Sequence, residues 1–372
     1  MLKKVVGQPQ AVRVLENAVK NDKIAQAYLF YGPEGCGKLF TAYLFAMAIN
    51  CYTSAERVPC GICPSCKKFL QYCHPDILFL FPIPKFDMTT DGEIKSQSQQ
   101  DEYQSYIKSK INHPWNDFKF TSNTEIRIDQ IRMIQQKLST SPYEADKKII
   151  IMENVENMNV QASNAFLKTL EEPSQNTIIL MTTQNINSIL PTILSRCQKI
   201  EFHPIKTDKI EIYLIHRFQI DPVKAKLLAK ISNGNLEKAI NMALDDDFES
   251  INQSSRFFQI VLAQDDIAFI AWMEDILSKY SKNPVFLNEI LNSFIVFLND
   301  IKSFQLCQKR IININQIKLI SHFFEKNPHI LEYLGEIFEY IADMQKAISG
   351  HVQPKLVFSS VYNKISSYFS QK

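Results

Sequence analysis

An α/β domain built on a parallel sheet, followed by helical domains to the end of the chain, is the fold class that these 372 residues predict. Three observations predict it. Ala27-Tyr28-Leu29-Phe30 runs straight into a glycine-rich loop and then an apolar helix, the order that a phosphate-binding loop requires. Lys148-Ile149-Ile150-Ile151-Met152 and Thr177-Ile178-Ile179-Leu180-Met181-Thr182 are unbroken apolar strands between amphipathic helices, the pattern of strands covered on both faces. After about Pro204 strand signals mostly cease and helical spacing takes over.

Taken in order, Ala11, Val12, Leu15, Ala18 and Val19 predict a first helix over 8–20. The helix after the glycine loop is apolar at Ala42, Leu44, Phe45, Ala46, Met47, Ala48 and Ile49, as suits a helix packed on a sheet. A cysteine-rich insert follows over 51–66, and His74-Pro75-Asp76 opens the next strand. From Asp87 to about Asn123 the chain turns polar, with Ser96-Gln97-Ser98-Gln99-Gln100, and is expected to be an insertion with partial disorder. Ile126 to Ile131 then leads a helix to Leu138, and another helix runs through Ala162, Ala165, Phe166, Leu167 and Leu170. Residues Lys209 to Leu244 read as short helices broken at Asn233-Gly234-Asn235, and Ser255 to the end as amphipathic helix, with the stripe Leu331, Leu334, Ile337, Phe338 and Ile341. The expected domains are thus 1–204, 205–250 and 251–372.

Composition narrows the function. A net charge of +2 provides no global field for nucleic acid, so tight DNA binding by this chain alone is not expected. Lys67 and Lys68 beside the cysteines are too few to change that. The start of the chain lacks the apolar core of a signal peptide and no apolar run approaches a membrane span, so a cytoplasmic location is expected. Eight cysteines in a reducing compartment point to metal or packing roles rather than disulfides, and Cys307 needs only a packing role.

Gly32-Pro33-Glu34-Gly35-Cys36-Gly37-Lys38 has the G-x-x-x-x-G-K spacing of a phosphate loop. Its glycines turn backbone N–H groups around a phosphate, and its lysine neutralises the outer phosphates. Leu39 stands where Ser or Thr would hold Mg²⁺, and it has no oxygen to offer. Thr41 is no substitute, since two helical positions rotate it by roughly 200° to another face. After the second strand, where an ATPase places an Asp for Mg²⁺ and a Glu for the attacking water, this chain has Glu153 and Asn154. Glu153 is one methylene longer than the usual ligand yet still able to reach a metal, whereas Asn154 cannot accept a proton. ATP and Mg²⁺ chemistry is therefore impaired at this site.

Cys51, Cys60, Cys63 and Cys66 are spaced C-x₈-C-x₂-C-x₂-C, with Pro59, Gly61 and Pro64 making the turns. Four thiolates in tetrahedral reach suit a closed structural Zn²⁺ site. Cys73 and His74 are weaker competitors, and a redox role is weaker still, because the C-x-x-C pairs do not open a helix after a strand.

In this order Val6-Gly7-Gln8, the glycine loop, the cysteine insert, His74-Pro75-Asp76, Lys168-Thr169-Leu170-Glu171-Glu172-Pro173 and Ser195-Arg196-Cys197 resemble the bacterial clamp-loader subunits of DNA polymerase III. The resemblance runs to about residue 240; beyond it the chain matches only in being helical. It implies a RecA-like AAA+ domain over 1–204, a helical lid over 205–250 and a helical collar over 251–372 that joins subunits in an open ring. It also implies that Gly32, Gly35, Gly37 and Lys38 line a degenerate nucleotide site, while Thr182 or Thr183 takes the sensor position. The lid of the family's gamma/tau motors carries an arginine for the γ-phosphate, where this chain reads Gly234-Asn235-Leu236-Glu237 and so places a carboxylate. With Leu39 and Asn154, that departure resembles the accessory, non-hydrolysing delta-prime kind rather than a motor. Arg196 then matches the arginine that reaches into a neighbouring subunit's ATP site and stabilises charge on the transferring phosphoryl group. Lys168, Glu171 and Glu172 read as interface or helix-terminal residues. The implied partners are the gamma/tau and delta subunits, the sliding clamp and primer-template DNA. The rival readings are an active gamma/tau-type ATPase and, against the charge balance, a nucleic-acid-binding protein.

Overall fold

The computed structural model describes residues 4–53, 59–86, 94–112, 120, 123–174, 176–244, 249–281, 283–306, 320–321, 325, 329–350 and 352–369. They fall into two compact units, Met1–Tyr213 with Asn233–Asn241, and Leu214–Ser232 with Met242–Lys372. Residues of the lid expected over 205–250 contribute to both units. No described helix is long and apolar enough to cross a membrane.

In the first unit α1 (Pro9–Lys20) starts with proline at its first turn, where a missing N–H costs nothing, and buries Ala11, Leu15, Ala18 and Val19. β1 (Ala27–Tyr31) leads through the glycine loop to α2 (Lys38–Ile49), which is buried almost all round. The cysteine turn leads into α3 (Pro64–Leu70), and β2 spans Ile77–Leu80. α4 (Gln97–Asn112) and α5 (Ile128–Leu138) precede β3 (Lys148–Met152). Asn159 caps α6 (Val160–Glu171) by accepting the Ala162 N–H at 2.8 Å. β4 (Thr177–Thr183), the short α7 (Pro191–Leu194) and β5 (Gln198–Glu201) complete the sheet, and α8 (Thr207–Phe218) follows.

The five strands lie in the order β2-β3-β4-β1-β5, every pair parallel. Alternation of side chains divides them between two cores. Tyr28, Phe30, Ile149, Ile151, Ile178 and Leu180 pack under α1 and α2, whereas Leu29, Ile150, Met152, Ile179 and Met181 pack under α5 and α6. Each such fully buried side chain is worth about 1.5–3 kcal/mol. The register sets Phe30 beside Thr182 and Met152 beside Met181, so the ends of β1, β3 and β4 open on one edge.

Two elements were not legible beforehand. β5 is an edge strand with only Ile200 buried among Gln198, Lys199 and Glu201, so it lacks the apolar run that marks the inner strands. α4 lies in the polar insertion expected to be partly disordered, and Tyr106 from it is buried with Phe81, Ile83 and Phe86. Residues 87–93, 113–119 and 121–122 of that insertion lie outside the described residues, as does Cys307.

Among the described residues, the elements of the second unit are all helices: the end of α8, α9 (Pro222–Ile231), part of α10 (Leu236–Leu244), α11 (Glu249–Ala263), α12 (Asp266–Tyr280), α13 (Pro284–Leu306), α14 (Ile330–Ser349) and α15 (Pro354–Phe369). Its core centres on Trp272, whose ring stacks on Phe257 at 4.7 Å and whose Nε1 donates to Gln253 at 2.8 Å. Leu334, Ile337 and Ile341 of the expected stripe are buried, with Leu331 and Phe338 packed beside them.

Asp76 ties β2 to the loop before β3. Its carboxylate accepts the N–H groups of Tyr143, Glu144 and Ala145 at 2.6, 2.9 and 2.9 Å. Burial raises its pKa, but those three N–H groups and His74 outweigh burial and hold the carboxyl below its ordinary value. Folding therefore favours the ionised form. That contribution is fully present above the unfolded value of about 4 and is lost as pH falls through the lower folded value. Asp76→Ala should lower the unfolding free energy at neutral pH by roughly 1–3 kcal/mol, since three part-buried N–H groups lose their charged acceptor. Urea unfolding at pH 7 and pH 3 checks it: the gap between variant and parent should narrow in acid.

Candidate phosphate pocket and cysteine centre

The glycine loop leaves β1 and enters α2 at Gly37, whose φ of 89° favours glycine although nothing crowds its Cα. At Gly35, with φ of 64°, a side chain would also run into Asn235, which sits over the loop. The Leu236 N–H donates to the Gly35 carbonyl at 2.9 Å, so the start of α10 is fastened to the loop. Gln8 fastens it from the other side: its Nε2 donates to the Cys36 carbonyl at 3.2 Å and to the His203 carbonyl at 2.6 Å, and its Oε1 accepts the His203 N–H. In the sequence Gln8 is only the end of Val6-Gly7-Gln8; in the fold it ties the loop to His203, the residue after Phe202 beyond β5.

Lys38 is buried, with Nζ donating to the Gly32 carbonyl at 2.8 Å and the Pro33 carbonyl at 2.6 Å. Leu39 lines the cavity beside it with no oxygen, and the Thr41 hydroxyl is spent on the Gly37 carbonyl at 2.7 Å, facing away as the helical rotation requires. Gly32 stands at the end of β1, under the Phe202 carbonyl.

A cavity of about 580 Å³ opens at this sheet edge, walled by Gly35, Gly37, Lys38, Glu153, Thr182 and Glu237 among others. Glu153 lines it with both carboxylate oxygens already engaged. Its Oε2 accepts from the Tyr106 hydroxyl at 2.5 Å and its Oε1 from Lys110 Nζ at 3.3 Å, both from α4. Burial, and next Glu153, push the Tyr106 phenol well above its ordinary pKa, which keeps it a donor. Asn154 adopts the left-handed conformation, φ 50°, and its N–H donates to Thr182 Oγ1 at 3.1 Å. Asn tolerates that backbone better than Glu, which would cost roughly 1 kcal/mol more there. Thr183, the other candidate at the sensor position, bonds its own turn at Asn185. Tyr106 and Lys110 were missed by reading the insertion as polar. Tyr103, Tyr106, Ile107 and Lys110 nevertheless stand at i, i+3, i+4 and i+7, the signal of one helix face.

Arg196 lies apart from these walls, on the exposed turn between α7 and β5. Its Nη2 donates to Glu171 Oε1 at 2.7 Å and its Nη1 to the Thr192 carbonyl at 2.8 Å. Two sequence motifs therefore meet in one ion pair. A half-exposed pair of this kind is worth at most about 1 kcal/mol, so it presents the guanidinium without locking it.

The cysteine spacing closes as expected: the sulfurs of Cys51, Cys60, Cys63 and Cys66 all lie within 4.8 Å of one another. A tetrahedral zinc–thiolate centre has bonds of about 2.3 Å and hence sulfurs about 3.8 Å apart. Cys60 and Cys66 stand at 3.9 Å. The N–H groups of Cys60, Ile62, Cys63 and Cys66 all point at cluster sulfurs at 3.3–3.4 Å, which favours thiolates. Hydrogen bonds from Thr53, Ile62 and Cys63 bring the Cys60 thiol down to about 6, while burial pushes Cys66 up. The residues present fit a metal ion such as zinc. Cys73 is turned to Lys68 and Gln71, and His74 to Ser65, Glu144 and the Asp76 N–H, so neither competes as a ligand.

The family model described as DNA polymerase III, delta subunit, matches residues 7–206. Subunit delta′ of DNA polymerase III from Bacillus subtilis is 27% identical over 300 residues, 80% of this chain and 78% of that protein. Subunit tau from the same organism is 29% identical over 243 residues, 64% of this chain but only 36% of that protein. Among solved structures, a gamma subunit-related protein from Thermotoga maritima aligns over 95% of this chain and 99% of its own at 15% identity, with a TM-score of 0.44.

Purified chain should carry about one metal ion, lost in Cys66→Ser and retained in Cys73→Ser. Metal analysis by atomic emission checks both variants.

Proposed function

The chain belongs to the DNA polymerase III delta-subunit family, and from that premise we propose that it is a delta-prime-type clamp-loader subunit that does not hydrolyse ATP and lends Arg196 to a neighbouring motor. The observation that carries the reading is the sheet edge itself. The phosphate loop is intact in Gly32, Gly35, Gly37 and Lys38, but Leu39 has no ligand oxygen, Glu153 is occupied by Tyr106 and Lys110, and Asn154 is no base. Mg²⁺ does not fit these residues. A subunit that cannot use its own site still contributes to turnover if it offers a cation elsewhere, and Arg196 is exposed, outside its own cavity and oriented by Glu171.

The expected job is to help load the sliding clamp onto primer-template DNA with gamma/tau and delta partners. In that assembly the four cysteines hold a structural Zn²⁺, whose role is to fix the turn that carries α3. The domain scheme that goes with this reading is an AAA+ domain over 1–204, a lid over 205–250 and a collar over 251–372. The collar supplies subunit contacts. The second reading, an active gamma/tau-type ATPase, is favoured by the similarity to tau, 29% identical against 27% for delta′ over a longer stretch.

ATP turnover by the purified chain with Mg²⁺ separates the two. The accessory reading expects none, with Leu39→Thr, Asn154→Glu as the comparison; robust native turnover makes the chain a motor. In the reconstituted complex, Arg196→Ala should fold normally yet depress DNA-stimulated turnover by roughly tenfold or more at the site it serves. Unchanged turnover removes the trans role.

A further inference from the structure

Glu171 is the last residue of α6, and a carboxylate at that end of a helix opposes the helix dipole instead of complementing it. Its reason for being there lies outside the helix: Arg196 Nη2 donates to Glu171 Oε1 at 2.7 Å. Both ends of this pair are mounted on a rigid frame. Leu170, just before Glu171, and Ile193, in the short α7 that leads to Arg196, are buried in one core with Phe166. Gln135 of α5 pins α6 by donating to the Ala165 carbonyl and the Thr169 hydroxyl, both at 3.0 Å. On the arginine's side, the Arg196 N–H donates to the Ile193 carbonyl at 3.1 Å and Nη1 to the Thr192 carbonyl at 2.8 Å. The turn therefore sets the backbone and one terminal nitrogen. Among the described residues Glu171 is the only partner of the other.

We propose that Glu171 is a positioning residue: it aims the Arg196 guanidinium before a neighbouring subunit's phosphate meets it, and so sets part of that neighbour's rate. The proposal rests on the reading of Arg196 as acting in trans, and adds to it the side chain that makes the arginine effective. An arginine loose on an exposed turn spreads over many rotamers, and the freedom it gives up at the transition state slows the reaction it serves. Two acceptors on a rigid frame remove that freedom beforehand. They do not use up the guanidinium, because Nε–H and the second N–H of Nη2 remain on offer to a phosphate. The pair is half-exposed, so its orienting effect is modest, and this fixes the size of the change to expect.

The test is steady-state, DNA-stimulated ATP turnover by the reconstituted complex, with the full chain as parent, Glu171→Ala, Glu171→Gln, Arg196→Ala and the double variant Glu171→Ala, Arg196→Ala. Glu171→Ala should lower the maximal rate by about three- to fivefold and leave the ATP concentration at half-maximal rate within about twofold, since no contact to nucleotide is removed. Glu171→Gln keeps an acceptor for Nη2 and should stay within about twofold of the parent. In the Arg196→Ala background, the change at Glu171 should alter the rate by less than about 1.5-fold. The variants should fold, because alanine suits a helix and losing the carboxylate relieves the dipole. A parental or faster rate in Glu171→Ala, or an equal loss in both backgrounds, overturns the proposal. So does loss of the Glu171→Ala chain from the complex on size-exclusion chromatography, because Glu171 would then hold an interface and not a side chain. If Arg196→Ala leaves turnover unchanged, the trans reading falls and this proposal with it; if Arg196→Ala is slow and Glu171→Ala is not, this proposal falls alone.

Discussion

Parallel pairing of β3, β4 and β1, buried on both faces, is the constraint on which the first unit depends. Parallel strands end on the same side, so Gly32, Glu153 and Thr182 arrive together although more than a hundred residues separate the first from the others. The alternation of Leu29 with Tyr28 and Phe30, and of Ile150 with Ile149 and Ile151, demands a layer of helices on each face. With both faces covered, the carboxyl ends of the strands are the place left for a crevice, and the cavity lies there.

The chemistry at that edge follows from what a half-buried carboxylate needs. Once residue 39 offers no partner to a metal, Glu153 would be a costly charge in a half-enclosed site. α4 resolves this by bringing a phenol and an ammonium to the two carboxylate oxygens, anchored by the stack of Tyr106 on Phe81 at 4.2 Å. The insertion thus contributes to the site rather than decorating it. Asn154, which looks like a lost base in the sequence, also meets a backbone demand, since its left-handed conformation presents its N–H to Thr182.

The cysteine turn is braced against the rest of the domain by polar contacts that converge on the loop held by Asp76. Tyr52 donates to the Glu144 carbonyl at 3.0 Å, Lys68 pairs with the Glu144 carboxylate, and Asn50 reaches the Lys147 carbonyl at 2.9 Å. Burial lowers the His74 pKa, and the ring sits between Ser65 and the Asp76 N–H. A metal ion at the four sulfurs would therefore act on the same loop that leads into β3, coupling the insert to the sheet.

Local patterns in the chain were enough for the inner strands, the glycine loop between β1 and α2, the four-cysteine set and the described helices of the C-terminal unit, because each is written in neighbouring residues: an apolar run, a glycine spacing, paired C-x-x-C steps, a 3.6-residue stripe. β5 and α4 escaped because their burial is partial, one isoleucine in an edge strand and one aromatic face in a polar helix. The sequence by itself determined which candidate residues are present and which side chains depart from the motif, Leu39 and Asn154 above all. Only the tertiary structure decided what they meet: Lys110 on Glu153, Glu171 on Arg196, Gln8 on the loop. Those partners lie 43, 25 and 28 residues apart or more, and no local pattern encodes a contact that exists only once the sheet has brought its loops to one edge.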